Sequence, residues 1–367
     1  MKRIIVSVTN DLVSDNRVHK VCTSLESMGN KVLLIGRKFS NSHSVNRDYK
    51  IKRFSLLFNK GPLFYAEYNF RLFFLLLFSR ADIYLANDLD TLYANYLASK
   101  IRGKVLVYDS HEYFTEVPEL IGRNFVRNFW LRIEKRIIPK LKYAYTVCQS
   151  LSDEYYKKYN VKFSVLRNVP FKLDKTICTN KKIFPVDKKI IIYQGALNIG
   201  RGIESVIKSI KFLENVNFVI IGDGDIREQL KDLVMSENVS EQVFFTGKIP
   251  LEELTEYTVS AHLGISLEEN MGLNYFYSLP NKIFDYIQAG IPVLASDFPE
   301  MKRIIESYNV GVCTLERDPK KLAEIIKSML FDESVRDIWK KNTIKAAAEL
   351  CWENEEKVFK DIIKNIS

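Results

Sequence analysis

The chain has 367 residues, 47% hydrophobic and 27% charged, which is too long for one ordinary core and suits two domains that each bury their own. Its five cysteines are scattered without a CxxC pair and its four histidines have no metal-ligand spacing, which argues against a disulfide framework or a zinc site and fits a reduced, cytosolic protein. Net charge is +9, but residues 1–170 carry 28 Lys+Arg against 15 Asp+Glu, a balance of +13, so the positive field belongs to the first half and implies an anionic partner there.

The opening MKRIIVSVTN turns polar too soon for a signal peptide and reads as a first buried strand. The first half alternates β-rich runs with helical patterns, the mark of a parallel sheet covered by helices. Strands are expected at Arg3–Val8, Lys31–Ile35, Ile51–Phe54, Asp82–Ala86, Lys104–Tyr108, Tyr143–Cys148 and Lys162–Leu166. Helices are clearest at Asn16–Met28, Leu89–Lys100 and Arg123–Leu141. The longest apolar stretch, Leu72–Phe78, falls well short of the ~20 residues needed to span a bilayer, and the aromatic run Leu63–Phe78 is a second candidate membrane patch for which core packing is the favoured reading.

Several first-half residues stand out. Arg17 opens the helix after the loop TNDLVSDNR, where it either reaches into a cleft or sits as an ordinary surface arginine. Asp88 and Asp90, in ANDLDTL, look superficially like a metal-binding DxD, but capping the helix that begins beside them is the better account. His111 follows a strongly apolar strand at its carboxyl end, where α/β folds bind ligands. RNFVRNFWLRIEKRIIPKLK, Arg123 to Lys142, is a basic helix with aromatics: it either docks on an anionic membrane or packs Phe129 and Ile133 on its own sheet.

Residues 169–188 lack periodicity and read as an inter-domain linker between a first domain, 1–168, and a second, 189–346. The βα rhythm then restarts with strands at Ile190–Tyr193, Asn217–Ile221, Val243–Phe245, Leu263–Ser266, Pro292–Ala295 and Gly311–Thr314. Helices separate them, and Lys320–Leu330 and a long pattern from Ser334 to about Ile366 end the chain. The expected fold class is α/β, two tandem Rossmann-like domains with the cleft between them as the default site.

Two stretches of the second half carry charge chemistry. In YQGALNIGRGIE, Gly195, Gly200 and Gly202 let backbone approach a ligand, and the forked donors of Arg201 suit a diphosphate; taken alone it is also an ordinary structural glycine turn. In LPNKIFDYIQAGIPV, a helix start favours an anion, Lys282 adds a full charge, and Asp285 one turn on suits a diol. The plainer alternative is that Pro280 and Gly290 cap a core helix while a solvated Lys282 pairs with Asp285.

Taken together, GALNIGRGIE, FVIIGDGD, FTGKIP and LPNKIFDYIQAGIPVLASD, with VYDSHEYF and DNRVHK upstream, resemble a GT-B glycosyltransferase of family 4. The resemblance implies a nucleotide-sugar donor (UDP-, GDP- or ADP-linked) on the second domain, a glycan or lipid-linked acceptor on the first, retention of configuration, and a final helix, about 347–367, packing back on the first domain. It places the donor among Gly195, Arg201, Gly222, Gly224, Lys248, Asn281, Lys282, Asp285 and Glu269. Arg201, Lys282 and His111 become the catalytic candidates, and Arg17 and Asp88 join His111 on the acceptor side.

Departures from the family pattern are an aspartate, Asp285, in place of a glutamate, and Tyr277 at the other acidic position. Glu268 or Glu269 substitutes for the missing acid only if the loop Asn270–Ser278 folds back. No cofactor, obligatory metal or nucleic-acid partner is expected, because Arg201, Lys282 and a helix terminus can stabilise the departing diphosphate. The expected setting is cytoplasmic, peripheral on the inner membrane face, in bacterial-type surface polysaccharide synthesis. Rival readings are a nucleotide-sugar epimerase of the same fold and a non-catalytic module binding anionic surfaces.

Overall fold

The structure, a computed structural model, describes residues 1–173, 183–184 and 187–366, in two compact units: Met1–Asn168 with Glu355–Ser367, and Val169–Asn354. Much of the linker read at 169–188, and Cys178 within it, lies outside the described residues, while Val169 is buried in the core of the second unit.

In the first unit the strands are β1 (Arg3–Ser7), β2 (Lys31–Lys38), β3 (Lys50–Ser55), β4 (Ile83–Asn87), β5 (Val105–Ser110), β6 (Tyr143–Thr146) and β7 (Ser164–Val165). They form one parallel sheet in the order β3-β2-β1-β4-β5-β6-β7. The intervening helices are α1 (Asn16–Ser27), α2 (Gly61–Phe78), α3 (Asp88–Arg102), α4 (Asn124–Ile137) and α5 (Gln149–Tyr159). Their ends follow local chemistry. Asp15 caps α1 by accepting from the Val18 amide, and α3 and α5 stop where Gly103 and Asn160 turn left-handed. The order reverses between β1 and β4, so their connections leave the sheet in opposite directions and open a crevice at the carboxyl ends.

The second unit repeats the plan with β8 (Lys189–Gln194), β9 (Val216–Ile221), β10 (Val243–Gly247), β11 (Leu263–Ser266), β12 (Val293–Ser296) and β13 (Gly311–Thr314), ordered β10-β9-β8-β11-β12-β13. Here the reversal falls between β8 and β11. Ile191, Tyr193, Phe218 and Ile220 enter one core layer while Ile190, Ile192, Val219 and Ile221 enter the other. That is the two-sided burial of central parallel strands. The covering helices are α6 (Ile203–Ile210), α7 (Arg227–Ser236), α8 (Leu251–Val259), α9 (Leu273–Phe276), α10 (Asn281–Gln288), α11 (Pro299–Tyr308), α12 (Pro319–Phe331) and α13 (Glu333–Glu349). Both units are therefore Rossmann-like, as the alternating pattern predicts.

Two expectations are corrected. The long helical pattern from Ser334 is two helices, α13 and α14 (Trp352–Lys364), because Leu350 leaves helical geometry (φ −87°, ψ 61°) to bury its side chain, and Trp352 N–H donates to Pro170 O at 2.8 Å. The return to the first unit begins at Glu355, so α13 stays with the second unit. Glu355 fastens α14 by accepting from Arg167 at 2.7 Å (Nε) and 2.9 Å (N), and Phe359 meets the Tyr145 ring at 6.0 Å. The stretch Leu72–Phe78 is the second half of α2, only one face of which is core: Phe64, Tyr68, Leu72 and Leu76 are buried, but Phe70, Phe74 and Phe78 are exposed.

Candidate functional site

The carboxyl ends of β8 and β11 bring the second-half candidates together. Just past β11, Glu268 is completely buried, and its Oε1 lies 2.8 Å from Lys282 Nζ and 3.8 Å from Arg201 Nη1. Oε2 accepts from Ser266 Oγ at 2.8 Å. Burial alone would raise the pKa of this carboxyl, but the adjoining Lys282 ammonium, then the Arg201 charge and the Ser266 hydrogen bond, hold it below its ordinary value. Lys282, in the first turn of α10, is therefore neither solvated nor paired with Asp285. It is buried, with the Tyr193 ring face 4.3 Å away as well. Arg201 is partly exposed, leans on the Tyr275 ring at 4.9 Å, and has a buried Nε without a hydrogen-bond partner among the described residues.

Around these charges the backbone approaches closely. Gly195 and Gly222 are hydrogen-bonded in series, Gly195 N to Ile221 O and Gly222 N to Gly247 O, each at 2.9 Å. The second bond sets the turn before Lys248, whose own side chain is exposed. Leu197 N donates to Asp223 O at 3.1 Å, locking the turn of Gly224 against the first glycine loop. The loop Asn270–Ser278 does fold back: Met271 and Tyr275 cover Gly200, and Glu269 N donates to Gly200 O at 2.9 Å. This leaves Glu268 turned inward and Glu269 exposed. Gly202 is left-handed (φ +70°), and a Cβ there would overlap Leu267 O. Gly202→Ala is expected to destabilise the second unit by about 2 kcal/mol or more, read as a lower urea midpoint.

One turn after Lys282, Asp285 is half-buried, and its Oδ2 accepts from Gln194 Nε2 at 2.9 Å. Gln194 Oε1 in turn accepts from Thr258 Oγ1 at 2.9 Å, which fixes the amide. Asn281, the first residue of α10, is exposed beside Pro280. Arg317 enters the same shell unannounced by any motif. Its Nη2 donates to Ser296 Oγ at 2.9 Å and to Glu268 O at 3.2 Å.

A second charged cluster forms in the first unit at the ends of β1, β4 and β5. Arg17 is neither at an opening nor on the surface: it is 3% exposed and grips Asp109 through Nε (3.1 Å) and Nη2 (2.8 Å), while Nη1 donates to Leu166 O at 2.9 Å. Asp109 was missed in the sequence, although it precedes His111 by two positions on the same strand end. His111 Nε2 lies 3.0 Å from Asp109 Oδ2 and 3.1 Å from Asn87 Oδ1, and Nδ1 lies 3.4 Å from Asp88 Oδ2. Burial works against the imidazolium, but Asp88 and Asp109 outweigh it and raise the His111 pKa to about 9. His111 is thus a cation at neutral pH.

Asp88 and Asp90 do not cap α3. Asp88 adopts φ +57°, and its Oδ1 accepts from the His111 amide at 2.9 Å; Asp90 Oδ2 accepts from Thr9 Oγ1 at 2.6 Å. Burial, which outweighs the attraction of His111, raises Asp88 to about 6, and burial likewise raises Asp90 to about 6.

On α4, Trp130, Glu134 and Ile137 face inward, while Phe125 is 86% and Phe129 50% exposed beside Arg132, Lys135 and Arg136. The reading that packs Phe129 on the sheet is therefore overturned: the buried aromatic of α4 is Trp130, whose indole meets the rings of Tyr65 at 5.1 Å and Phe114 at 5.2 Å, and Glu134 anchors the helix by accepting from Lys158 Nζ at 2.7 Å. Arg127 turns inward, donating from Nε to Thr115 O at 3.0 Å.

Comparison with known proteins agrees with both halves. The profile of the Glycosyl transferases group 1 family matches residues 174–346, and that of Glycosyltransferase Family 4 matches residues 15–170. An uncharacterized glycosyltransferase of Methanocaldococcus jannaschii is 27% identical over 237 residues, 60% of this chain and 59% of that protein. Alpha-monoglucosyldiacylglycerol synthase of Streptococcus pneumoniae is 23% identical over 60% of this chain and 47% of its own length. The matched region thus spans about half of these curated relatives. Among solved structures, sucrose-phosphate synthase of Thermosynechococcus elongatus shares the fold at a TM-score of 0.81 with 16% identity, covering 100% of this chain and 99% of that one. Anabaena Alr3699/HepE, in complex with UDP-glucose, does so at 0.72 with 14% identity and 100% of both chains.

Proposed function

The two halves of the chain belong to the Glycosyltransferase Family 4 and the Glycosyl transferases group 1 families, and from that premise we propose that it moves a sugar from a UDP-, GDP- or ADP-sugar to a glycan or lipid-linked acceptor. The observation that carries this reading is the convergence of Arg201 and Lys282 on one point beside the start of α10, with glycines lining the approach. Two cations and a set of helix amides suit a diphosphate, and Asp285, one helical turn away, suits the ribose diol. Glu268 neutralises only part of that charge, so an anion entering beside Arg201 meets net positive potential. The leaving diphosphate is stabilised by these fixed cations, with no obligatory metal.

On the first unit, the His111 imidazolium, held by Asp109 and Asp88, presents positive charge toward the sugar or acceptor rather than acting as a base. Retention of configuration is consistent with the lack of an obvious covalent nucleophile in the second-unit cluster. We place the chain on the cytoplasmic side, with the basic helix Arg123–Lys142 against an anionic membrane, in bacterial-type surface polysaccharide synthesis and without a nucleic-acid partner. No helix among the described residues is long and apolar enough to cross a membrane. The glucosylated diacylglycerol in the name of the pneumococcal relative, a synthase of that lipid, supports a lipid-linked acceptor here.

A thermal-shift screen of UDP-, GDP- and ADP-sugars tests the proposal. One base series is expected to raise the midpoint by several degrees, as saturation near one hundred times Kd adds about 2.7 kcal/mol, and Arg201→Ala is expected to lose that shift. No response to any of the three sinks the proposal. Consumption of donor without acceptor would favour the epimerase.

A further inference from the structure

Helix α2 presents to water the kind of surface that a helix normally hides. Its inward ridge is Phe64, Tyr68, Leu72 and Leu76, and its outward ridge is equally aromatic, with Phe70 65%, Phe74 41% and Phe78 77% exposed. The rings form a continuous ladder, with centroids 4.8 Å apart between Phe70 and Phe74 and 6.3 Å between Phe74 and Phe78. Between Arg71 and Arg80 the helix carries no charge. An apolar ridge this continuous marks an interaction surface.

One end of the ridge is basic: Arg80 is joined by Arg102, whose Nη2 donates to Ser79 O at 3.3 Å, and by Arg3, whose Nη1 lies 3.5 Å from Arg80 O, while Arg71 at the other end is paired with Glu67 at 2.6 Å. Glu67, the acid on α2, is occupied by the amides of Leu57 and Phe58 and by Arg71. Helix α4 packs beside α2 through rings on the inward side, where Tyr65 meets the buried Trp130 edge-on at 5.1 Å, and Trp130 meets the half-exposed Phe129 of α4 at 5.3 Å. A second copy of the chain fits this face poorly. In a two-fold contact each patch meets itself, which would press arginine rims against one another. An anionic lipid surface answers both features, taking the rings into the acyl boundary and the cations onto headgroups.

We propose that the outward ridge of α2 docks on an anionic lipid surface, in which Phe70, Phe74 and Phe78 insert while Arg80, Arg102 and Arg3 at the end of the ridge hold headgroups alongside the cations of α4. This rests on the membrane reading of Arg123–Lys142 and adds to it an insertion element. The electrostatic part is screened by salt and the inserted part is not.

Co-sedimentation with phosphatidylglycerol-containing vesicles, with pure phosphatidylcholine vesicles as control, separates the two parts. The native chain is expected to bind the anionic vesicles and to keep a measurable fraction bound when salt is raised to about 0.5 M. Phe70→Ser/Phe74→Ser/Phe78→Ser should lose that salt-resistant fraction and bind about 10-fold more weakly or worse at low salt. Arg132→Glu/Lys135→Glu/Arg136→Glu should bind more weakly at low salt while keeping the salt-resistant fraction. The single Phe78→Glu variant, at the most exposed position, repeats the test where the triple variant folds poorly. Native-like binding by both phenylalanine variants overturns the α2 proposal and leaves the α4 reading standing. Absence of binding by the native chain overturns both. A dimer in sedimentation equilibrium that the phenylalanine variants dissolve, without vesicle binding, reassigns the ridge to self-association and overturns the proposal.

Discussion

Lys282→Met is expected to abolish donor binding and to destabilise the second unit by roughly 3–5 kcal/mol, because it leaves the Glu268 carboxylate buried with Arg201 as its nearest cation, 3.8 Å away. The two losses have different causes, and a second substitution parts them. Glu268→Gln on top of Lys282→Met removes the orphaned charge while keeping its shape, so most of the stability should return. Donor binding should not return, since the ammonium that meets the diphosphate is still missing. On turnover, loss of one such fixed charge is expected to cost about 10²–10³-fold. Urea unfolding and nucleotide titration of the single and double variants check both arms. If the double variant regains donor affinity along with stability, Lys282 is an internal counter-ion and the donor site lies elsewhere.

The second large effect is a pH dependence centred on His111. Its folded pKa, about 9, lies above the unfolded value of about 6.5, so the stability it contributes is complete below about 6.5 and is lost as pH rises through 9. Asp109 works in the opposite sense. Burial opposes its ionisation, but Arg17 and His111 hold it at about 2, so its contribution is present above about 3.9 and is lost only as pH falls through 2. Between pH 6.5 and 9 the His111 contribution therefore falls while that of Asp109 stays constant. The first unit is expected to lose on the order of 2 kcal/mol over that window. His111→Gln, which cannot charge, should flatten the profile. Urea unfolding of both proteins at pH 6.5 and 9 decides it, and parallel profiles would mean that His111 is not the charged member of the cluster.

Asp109→Ala should be more damaging than His111→Gln. It strips Arg17, 3% exposed, of its ion-pair partner in the interior of the first unit. An uncompensated buried charge of this kind costs roughly 3–5 kcal/mol.

Much of this architecture is written in local patterns. Strand and helix alternation follows from periodicity two and periodicity 3.6, which any window of about a dozen residues displays, so both Rossmann-like units were legible before the structure. The glycine loop around Arg201, the helix start at Lys282 and the strand-end His111 were legible for the same reason: each is a contiguous stretch whose backbone requirements select unusual residues. What the sequence left open is which charge meets which. Glu268 reaches Lys282 and Arg201 because β11 pairs directly with β8, a neighbour far away in the chain, and Arg17 reaches Asp109 across 92 positions because both lie at strand ends on one sheet. The same limit left open whether Leu63–Phe78 is patch or core, since a helix apolar on all sides does not announce which side the sheet will cover. Periodicity is a property of neighbours along the chain, whereas ion pairing and burial are properties of neighbours in space, and only the strand order of each sheet converts one into the other.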